Sequence, residues 1–416
     1  MKLPKEWEFR KLGTVVSKQK YAMVDGPFGS NLKSEHYKTS GIPVLQSGFV
    51  TSGKFLANAY VYVDKELFEQ QRRSAAKGGD LLMAKIGAQA GKCAIIPPDH
   101  PESIIAGNCL KLSFDEDQNS TEFFNMILAY NYDKNGLCEI KTETAQPAIS
   151  LKSLKDYKVP VPPLPEQNKI AQILSTWDQA ISATQKLLEN SQQQKKALMQ
   201  QLLAGKKRLF DTNGMRFHTA WEKKKLRELG DIVGGLTYTP EDVTDSSGNL
   251  VLRSSNIQNG RLVFEDNVYV NCELTDKTRT KLNDILICVR NGSRSLIGKS
   301  ALLKGQSVGC FHGAFMTIFR TKEPLFVFQI MQSDLFFREV NKNLGATINS
   351  INGSDLRNFS FLIPSAKEER DAIASVLSTA DLEIDTLHIK LDCLKQEKKA
   401  LMQQLLTGKK RVKVAT

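Results

Sequence analysis

The chain has 416 residues, of which 41% are hydrophobic and 25% are charged, and its formal net charge is +12. That length allows two to four domains with cores of their own, and the hydrophobic fraction excludes a chain that is disordered throughout. The basic excess favours a polyanionic partner, nucleic acid ahead of an anionic membrane, although a basic protein without such a partner stays open at this point.

Short apolar or alternating runs bounded by Gly, Pro or Asn predict strands in both halves of the chain. In chain order they are residues 42–45, 60–63, 81–86, 93–96 and 110–114, and then 268–270, 285–289, 300–303 and 315–319. One amphipathic helix is predicted late in each half, near residues 122–131 and 327–340. This mixture of elements predicts an α+β fold.

Two much longer helices are predicted from a repeat. The sequence KKALMQQLL occurs at residues 195–203 and again at 398–406, followed by AGKKR and TGKKR. Apolar residues recur every three or four positions before each copy, and Gly205 and Gly408 end the two stripes. About 40 residues make a helix of about 60 Å. Two such helices favour an antiparallel coiled coil, and the alternative is that each packs only on its own domain.

The divergent halves keep a common order of landmarks, which indicates two variable domains on one plan. Corresponding pairs are Trp7 and Trp221, Gly53-Lys54 and Gly260-Arg261, and Gly91-Lys92 and Gly298-Lys299. The linker between the repeats has about the same length as the two chain ends taken together. If those ends meet, the arrangement is pseudo-twofold, which suits a ligand with two separated halves.

The predicted organisation is a first domain at residues 1–158, the first repeated helix at 159–208, a linker and second domain at 209–360, the second repeated helix at 361–412, and a tail at 413–416. The first residues, MKLPKEWEFRKLG, lack the apolar core of a signal peptide, and no run of about 18 apolar residues follows. We therefore expect a cytoplasmic protein.

The cysteines and histidines show no metal-ligand spacing. Seven cysteines stand singly in mostly apolar surroundings, without CxxC pairs, and predict reduced, packed thiols. They are Cys93, Cys109, Cys138, Cys272, Cys288, Cys310 and Cys393. We expect no metal and no cofactor in this chain.

Catalytic motifs are near misses. Residues 293–300 read SRSLIGKS, which is similar to a phosphate-binding P-loop but has Ser293 where the first glycine is needed. Asp99, Glu139 and Lys141 imitate the carboxylates and lysine of a metal nuclease, but the gap between them is long and the second half has no equivalent. The tetrapeptide Asn- or Asp-Pro-Pro-aromatic of an amino-methyltransferase is absent from the sequence. The residues therefore predict no chemistry by this chain alone.

Taken together, the chain resembles the specificity subunit of a type I restriction-modification enzyme. The resemblance rests on PVPPLPEQNKIAQILSTWD at residues 160–178 and KKALMQQLLTGKKR at 398–411, with WEFRKLG at 7–13, GPFGSNLK at 26–33 and the exit tract at 144–167. It covers essentially the whole chain. The second exit, IPSAKEER at 363–370, departs from the pattern, so we expect its helix to start at a slightly different place.

The resemblance implies a fold and a division of labour. The fold would be two target-recognition domains of similar α/β fold, joined by two long antiparallel helices that form a coiled-coil spacer in a pseudo-twofold arrangement. Each domain would read one half of a bipartite, asymmetric target in double-stranded DNA, and the helices would set the gap. Two methylation subunits and two restriction and translocase subunits would carry the catalysis in a prokaryotic cytoplasm, using S-adenosylmethionine, ATP and Mg²⁺. No membrane would be involved, and this chain would not be an enzyme itself.

For the DNA contacts we predict polar and basic residues in loops beside the strands, since Arg suits guanine edges, Asn and Gln suit adenine, and Lys attracts phosphate. In the first half they are Asn31, Lys33, Gln46, Ser47, Lys85, Gln89 and Lys92; in the second they are Arg253, Ser254, Asn256, Arg290, Asn291, Arg294 and Lys299. The exit-loop residues Gln146, Pro147 and Ser150 would touch the DNA backbone or cap the following helix.

Two other functions stay open from the sequence. One is a coiled-coil scaffold whose basic charge is incidental, which predicts no sequence-specific DNA binding. The other is a nuclease or ATPase that uses Asp99, Glu139 and Lys141, or Lys299 and Ser300, and it predicts turnover by the isolated chain.

Overall fold

The chain forms two compact units in a computed structural model that describes residues 3–272, 275–344 and 349–414. Unit 1 comprises Met1–Ala183 and Lys390–Thr416, and unit 2 comprises Thr184–Ile389. Unit 1 is thus assembled from both ends of the chain, and unit 2 from its middle. Of the predicted tail at 413–416, residues 415–416 lie outside the described residues.

Unit 1 contains two four-stranded sheets and a two-stranded ribbon. Its strands are β1 (Glu8–Lys11), β2 (Met23–Asp25), β3 (Ile42–Leu45), β4 (Tyr62–Val63), β5 (Ala75–Ala76), β6 (Leu81–Ala84), β7 (Cys93–Ile95), β8 (Ser103–Ile105), β9 (Cys109–Leu112) and β10 (Lys158–Val161). One sheet has the order β2-β9-β6-β7 and is antiparallel; the other has the order β4-β3-β8-β5, with β3 and β8 parallel. β1 pairs with β10.

The helices of unit 1 pack on both of its sheets. They are α1 (Leu12–Val15), α2 (Lys65–Gln70), α3 (Thr121–Asp133), α4 (Leu151–Asp156), the first part of α5 (Leu164–Leu202) and the last part of α10 (Lys367–Leu405). Phe68 of α2 packs on the second sheet, and the other helices pack on the first. The Ser120 hydroxyl accepts a hydrogen bond from the backbone N–H of Phe123 at the start of α3. Buried residues at helical spacing, including Phe123, Phe124, Ile127 and Leu128, then place α3 against the core of the unit.

Unit 2 has corresponding elements. Its strands are β11 (Trp221–Lys225), β12 (Gly230–Gly234), β13 (Val243–Thr244), β14 (Asn249–Leu252), β15 (Ile257–Gln258), β16 (Arg261–Leu262), β17 (Val268–Val270), β18 (Ile285–Cys288), β19 (Ser300–Leu302), β20 (Phe311–His312), β21 (Met316–Thr321) and β22 (Ser360–Pro364). Its helices are α6 (Leu226–Leu229), α7 (Pro324–Met331), α8 (Asp334–Asn343), α9 (Gly353–Asn358), the remainder of α5 and the first part of α10 (Lys367–Leu405).

The strand orders show that both units follow one plan. In unit 2 the sheets run β12-β21-β18-β19 and β13-β17-β14-β20, with β14 parallel to β20, and β11 pairs with β22. The predicted landmark at Gly91 and Gly298 is one turn in both units: Gly91 N–H bonds to the carbonyl of Ala84, and Gly298 N–H to that of Cys288, at 2.8 Å each. The predicted α+β fold with two similar domains is therefore confirmed.

The long helices α5 and α10 pack antiparallel within each unit. In unit 2, Lys195 Nζ lies 2.5 Å from Asp381 Oδ1 and Ser191 Oγ donates to Glu383 at 3.0 Å. In unit 1, Lys398 Nζ lies 2.6 Å from Asp178 Oδ1. Because Lys398 repeats Lys195 and Asp178 repeats Asp381, the repeat makes the same ion pair in each unit.

An arginine in the basic sequence after each long helix binds a glutamate near the start of the other long helix. We call each such contact a clasp. In unit 2, Arg208 donates to both carboxylate oxygens of Glu369, from Nε at 2.5 Å and from Nη2 at 2.7 Å. In unit 1, Arg411 makes the corresponding contacts with Glu166. Arg411 also donates to the carbonyl of Lys5 at 3.3 Å, so residues near both ends of the sequence contact each other within unit 1.

Three sequence expectations are corrected. The two long helices start 203 positions apart, at Leu164 and Lys367, so the second does not start at a shifted place. The helix predicted at 327–340 is two helices, because Ser333 Oγ turns back to the carbonyl of Ile330 at 2.6 Å and α7 ends there. The segments predicted as helix at 159–208 and 361–412 begin in strands β10 and β22.

Among the described residues, none of the helices combines the length and the apolar character that crossing a lipid bilayer requires.

Candidate nucleic-acid interface

In unit 1, loops from both sheets converge beside the ends of β3, β6 and β8. Asn108 donates from Nδ2 to Ser47 Oγ at 2.9 Å, and Lys85 N–H bonds to the carbonyl of Asn108 at 2.8 Å. Lys92 Nζ donates to the carbonyl of Thr51 at 2.7 Å. These bonds join residues 46–54, 85–92 and 106–108. Residues 26–33 lie beside them, since Lys85 Nζ contacts the Phe28 ring. We call these four segments loop face 1.

Lys85 does not fit its predicted role as a DNA contact. It is only 9% exposed, and its Nζ lies 2.8 Å from Asp25 Oδ2 and 3.8 Å from the centre of the Phe28 ring. Asp25 also holds Arg73 at 2.8 Å. The Lys85 charge is therefore balanced inside the unit, and its ammonium supports the Phe28 ring from within.

Gln89 and Lys92 belong to a cluster around Tyr132. The Tyr132 hydroxyl donates to Gln89 Oε1 at 3.2 Å, and the Nζ atoms of Lys92 and Lys141 lie 5.6 and 4.7 Å from the centre of its ring. Partial burial, then the neighbouring Asp133 charge, raises the pKa of Tyr132, so its hydroxyl keeps the proton that it donates. Two lysines over one aromatic ring give this part of loop face 1 a positive charge.

The other predicted residues of loop face 1 are accessible. Asn31 and Lys33 are exposed, and Gln46 is half-buried. Lys33 pairs with Glu35 at 3.3 Å on the surface, an interaction that water screens and DNA phosphate can displace. Asn31, Lys33 and Gln46 therefore stay available to a ligand.

Unit 2 builds a matching surface. Val289 N–H bonds to the carbonyl of Phe315 at 3.0 Å, as Lys85 N–H does to Asn108, so Phe315 stands at the place of Asn108. Asn291 Nδ2 donates to Ser254 Oγ at 2.9 Å. We call residues 235–243, 253–261, 289–299 and 313–316 loop face 2.

Asn256 is a structural residue, which corrects its prediction as a DNA contact. It is fully buried; its Oδ1 accepts the N–H of Arg253 at 2.9 Å, and its Nδ2 donates to the carbonyl of Val263 at 2.9 Å. The short amide side chain closes a turn here, which is a common use of asparagine. A base edge cannot reach Asn256 unless this turn opens.

Arginines dominate loop face 2. Arg290 and Arg294 are exposed, and Lys299 is half-buried beside Gly298, whose φ is +84°. Arg253 lines an open groove of about 740 Å³ together with Tyr238 and Phe315. Its Nη2 lies 2.9 Å from the exposed Asp266, while its buried Nε has no hydrogen-bond partner within the described part of the chain.

The P-loop interpretation of residues 293–300 is wrong. After Lys299 the chain enters strand β19 at Ser300, whereas a P-loop must lead into a helix whose first N–H groups face the phosphates. Nor do the described residues contain a group of three or more His, Cys, Asp and Glu side chains placed to hold a metal ion. Lys299 and Ser300 thus lack the helix that a P-loop needs for phosphate binding.

The exit-loop residues, which lie just before α4, form their hydrogen bonds with other residues of unit 1. The Ser150 hydroxyl accepts the N–H of Ser153 at 2.9 Å and so caps α4, and the Pro147 carbonyl accepts the N–H of Gly87 at 2.8 Å. In unit 2 the Asn349 carbonyl accepts the N–H of Asn291 in the same manner, at 3.2 Å. Each exit segment therefore orders one loop of its loop face.

The sequence analysis missed the aromatic residues of both faces because it considered only polar and basic side chains. Phe28 and Phe315 are about half exposed, and Tyr132 gathers two lysines. A usable signal for Phe28 was its place between glycines in the polar tract at 26–33, where an apolar side chain has little core to enter.

The family model described as type I restriction modification DNA specificity domain matches residues 4–190 and 219–396. The chain is 26% identical to the type I restriction enzyme MjaVIII specificity subunit of Methanocaldococcus jannaschii over 443 aligned residues, covering 99% of this chain and 95% of that one. It is 23% identical to the EcoKI specificity subunit of Escherichia coli strain K12, covering 90% and 82%. The fold is similar to the crystal structure of a type I restriction-modification S subunit from M. genitalium, with a TM-score of 0.61, 13% identity and 98% of each chain covered.

Proposed function

The chain belongs to the type I restriction-modification DNA specificity family, and from that premise we propose that each of its units reads one half of a bipartite, asymmetric DNA target. As a specificity subunit it directs catalysis that other subunits perform. The net charge of +12 suits a DNA ligand.

One observation carries the proposal: the two loop faces share a scaffold but present different side chains at corresponding places. Gln46 follows β3, and Arg253 follows β14, its counterpart in unit 2. Glutamine suits adenine and arginine suits guanine in the major groove. At another pair of corresponding places, unit 1 has the polar residue Asn108 and unit 2 has the aromatic residue Phe315. Equal scaffolds with unequal side chains favour two different half-sites.

The proposed contacts fall into two groups. The proposed contacts to bases or phosphates are Asn31, Lys33, Gln46, Gln89, Arg253, Arg290 and Arg294, together with the turn lysines Lys92 and Lys299. Ser47, Ser254 and Asn291 order their loops through the hydrogen bonds given above and offer their remaining hydrogen-bonding capacity to DNA. Lys85 and Asn256 leave the set, because their polar groups are already buried and satisfied.

The long helices α5 and α10 are the proposed ruler, since both run continuously for 39 residues and each has turns in both units. We further propose that two methylation subunits with S-adenosylmethionine, and two restriction and translocase subunits with ATP and Mg²⁺, assemble on this chain. Methyl transfer to a flipped-out adenine is then the partner's chemistry.

The test is base-resolution methylation sequencing of host DNA with and without this gene, with its partner subunits expressed. The expected result is loss of N6-methyladenine at one split, asymmetric motif. A variant with Arg290→Ala and Arg294→Ala should relax only one half of that motif. An unchanged methylome in cells whose partner subunits are shown to be active would overturn the proposal in favour of a coiled-coil scaffold.

A further inference from the structure

Each loop face carries one exposed phenylalanine that rests on a basic side chain. Phe28 is 46% exposed and has Lys85 Nζ 3.8 Å from its ring centre. Phe315 is 57% exposed and has the Arg290 guanidinium carbon 5.7 Å from its ring centre. A single exposed phenylalanine is common on protein surfaces. A phenylalanine ring that packs on a cation and lies among basic residues is, in contrast, well placed to contact a bound ligand.

The Phe28 ring is fixed from below. The Lys85 ammonium under the ring forms an ion pair with Asp25, and Asp25 also forms an ion pair with Arg73. These two ion pairs fix the position of the ammonium on which the ring rests. Gly29 follows with φ of +59°, and the backbone at Gly107 passes so near that an added Cβ would lie 3.5 Å from Phe28 Cδ1. One side of the ring thus faces the protein, and its outer side is open.

Phe315 reaches the corresponding place by a different route. It lies between β20 and β21, and its carbonyl accepts the N–H groups of Val289 and Arg290 at 3.0 and 3.1 Å. Its counterpart in unit 1 is Asn108, beside which Phe28 lies. The two rings therefore come from different loops, and the internal repeat alone does not explain why both faces have one.

The chemistry of DNA limits what such a ring can meet. The base edges in the major groove offer hydrogen-bonding groups and one apolar group, the C5 methyl of thymine. We propose that Phe28 and Phe315 each pack against a thymine methyl in the half-site read by their unit, and that Lys85 and Arg290 are positioning residues for the rings. This inference rests on the proposed function and adds a specificity determinant to each face.

The test uses the assembled complex and the target defined by methylation sequencing. Binding to a labelled duplex is measured by fluorescence anisotropy at several salt concentrations. Phe28→Ala should weaken specific binding by about 3- to 10-fold and leave the slope of log K against log salt unchanged, because no phosphate contact is lost. Replacing one thymine of that half-site with uracil should weaken wild-type binding by a similar factor and leave the variant unaffected. Phe315→Ala should behave in the same way for the other half-site.

Phe210→Ala is the matched control. Phe210 is 59% exposed and has the Arg216 guanidinium 5.4 Å from its ring centre, but it lies before β11, outside loop face 2. Its removal should change neither binding nor the response to uracil. Lys85→Met should reduce the uracil penalty at constant salt slope, whereas a lysine that contacts phosphate would lower the slope by about one.

The inference is overturned if no thymine in either half-site responds to uracil, or if the penalty persists in the Phe28 and Phe315 variants. Failure of the proposed function looks different: the wild-type complex would then bind the target and an unrelated duplex equally well.

Discussion

Replacing Arg208 with methionine should destabilise unit 2, because it leaves the Glu369 carboxylate buried without its cation. Glu369 is fully buried and receives two hydrogen bonds from Arg208. Removing one partner of a buried ion pair costs about 3–5 kcal/mol, and we take the lower value because Arg208 is partly accessible to water. For a unit of about 200 residues, each kcal/mol lowers the melting temperature by about 2–4 °C. The expected fall is therefore about 6–12 °C.

The clasp in unit 1 should respond less to Arg411→Met. Arg411 is about 40% exposed, and Trp7 Nε1 donates to Glu166 at 3.3 Å, so that carboxylate keeps one partner. The corresponding Trp221 Nε1 has no hydrogen-bond partner among the described residues, which leaves Glu369 more dependent on its arginine. The two variants thus form an internal comparison.

Tryptophan fluorescence can follow unit 2 alone. Of the three tryptophans, Trp7 and Trp177 belong to unit 1, so replacing both with phenylalanine leaves Trp221 as the reporter of unit 2. In this background the double variant Arg208→Met with Glu369→Leu should melt within about 4 °C of its parent, because exchanging both partners for apolar groups removes the unpaired charge. A shift below about 2 °C for the single variant, or equal losses in the single and double variants, would refute the reasoning.

Three further predictions concern the ruler, an acid-sensitive histidine and the thiols. Inserting seven residues after Thr184 and seven after Leu391 should lengthen the recognised gap by about three base pairs, at 1.5 Å per residue and about 3.4 Å per base pair. A single insertion should abolish specific binding because it shifts the two helices out of register. Methylation at an unchanged gap would contradict this prediction. Burial lowers the pKa of His312, so the unfolded chain takes up a proton first as the pH falls below about 6.5 and unit 2 loses stability there. His312→Ile, which supplies the residue found at the corresponding place in unit 1, should melt at the same temperature from pH 7.5 to 5.5, and an acid-dependent loss equal to that of the wild type would count against it. Burial raises the pKa of the Cys93 thiol to about 12, so iodoacetamide at pH 8 should modify the exposed Cys138 and spare Cys93, as mass spectrometry of tryptic peptides would show.

The long helices were predictable because their signal is repeated and local. Each copy keeps helical spacing of apolar residues without an internal Gly or Pro, and the antiparallel pairing followed from the equal lengths. The clasps were not predictable, since they join residues about 160 and 245 positions apart and the basic ends looked like ordinary helix tails. The pairing of β1 with β10 was missed for a similar reason: Glu8–Lys11 is charged and exposed, and only its distant partner makes it a strand.

The candidate site was predictable at the level of loops and less so at the level of side chains. The landmarks identified the correct turns, including Gly91-Lys92 and Gly298-Lys299. Residue type could not reveal that Lys85 forms an ion pair with Asp25 or that Asn256 closes a turn, because the folded structure decides which groups these two side chains contact. The same limit hid Phe28, whose exposure depends on where Lys85 lies.

The division of the chain also sets the order in which it can fold during synthesis. Unit 2 is one continuous stretch and is complete once Ile389 has left the ribosome, whereas unit 1 must wait for Lys390–Thr416. Until then the buried faces of Ile170 and Leu174 lack Leu405 and Leu406, their companions in the core. Although domains nearer the N-terminus generally fold first, here the central unit can finish before the unit that contains the first residue. The nascent N-terminal domain therefore depends on Lys390–Thr416 for its core, and a premature stop just after Ile389 would leave unit 2 complete and unit 1 with an open core.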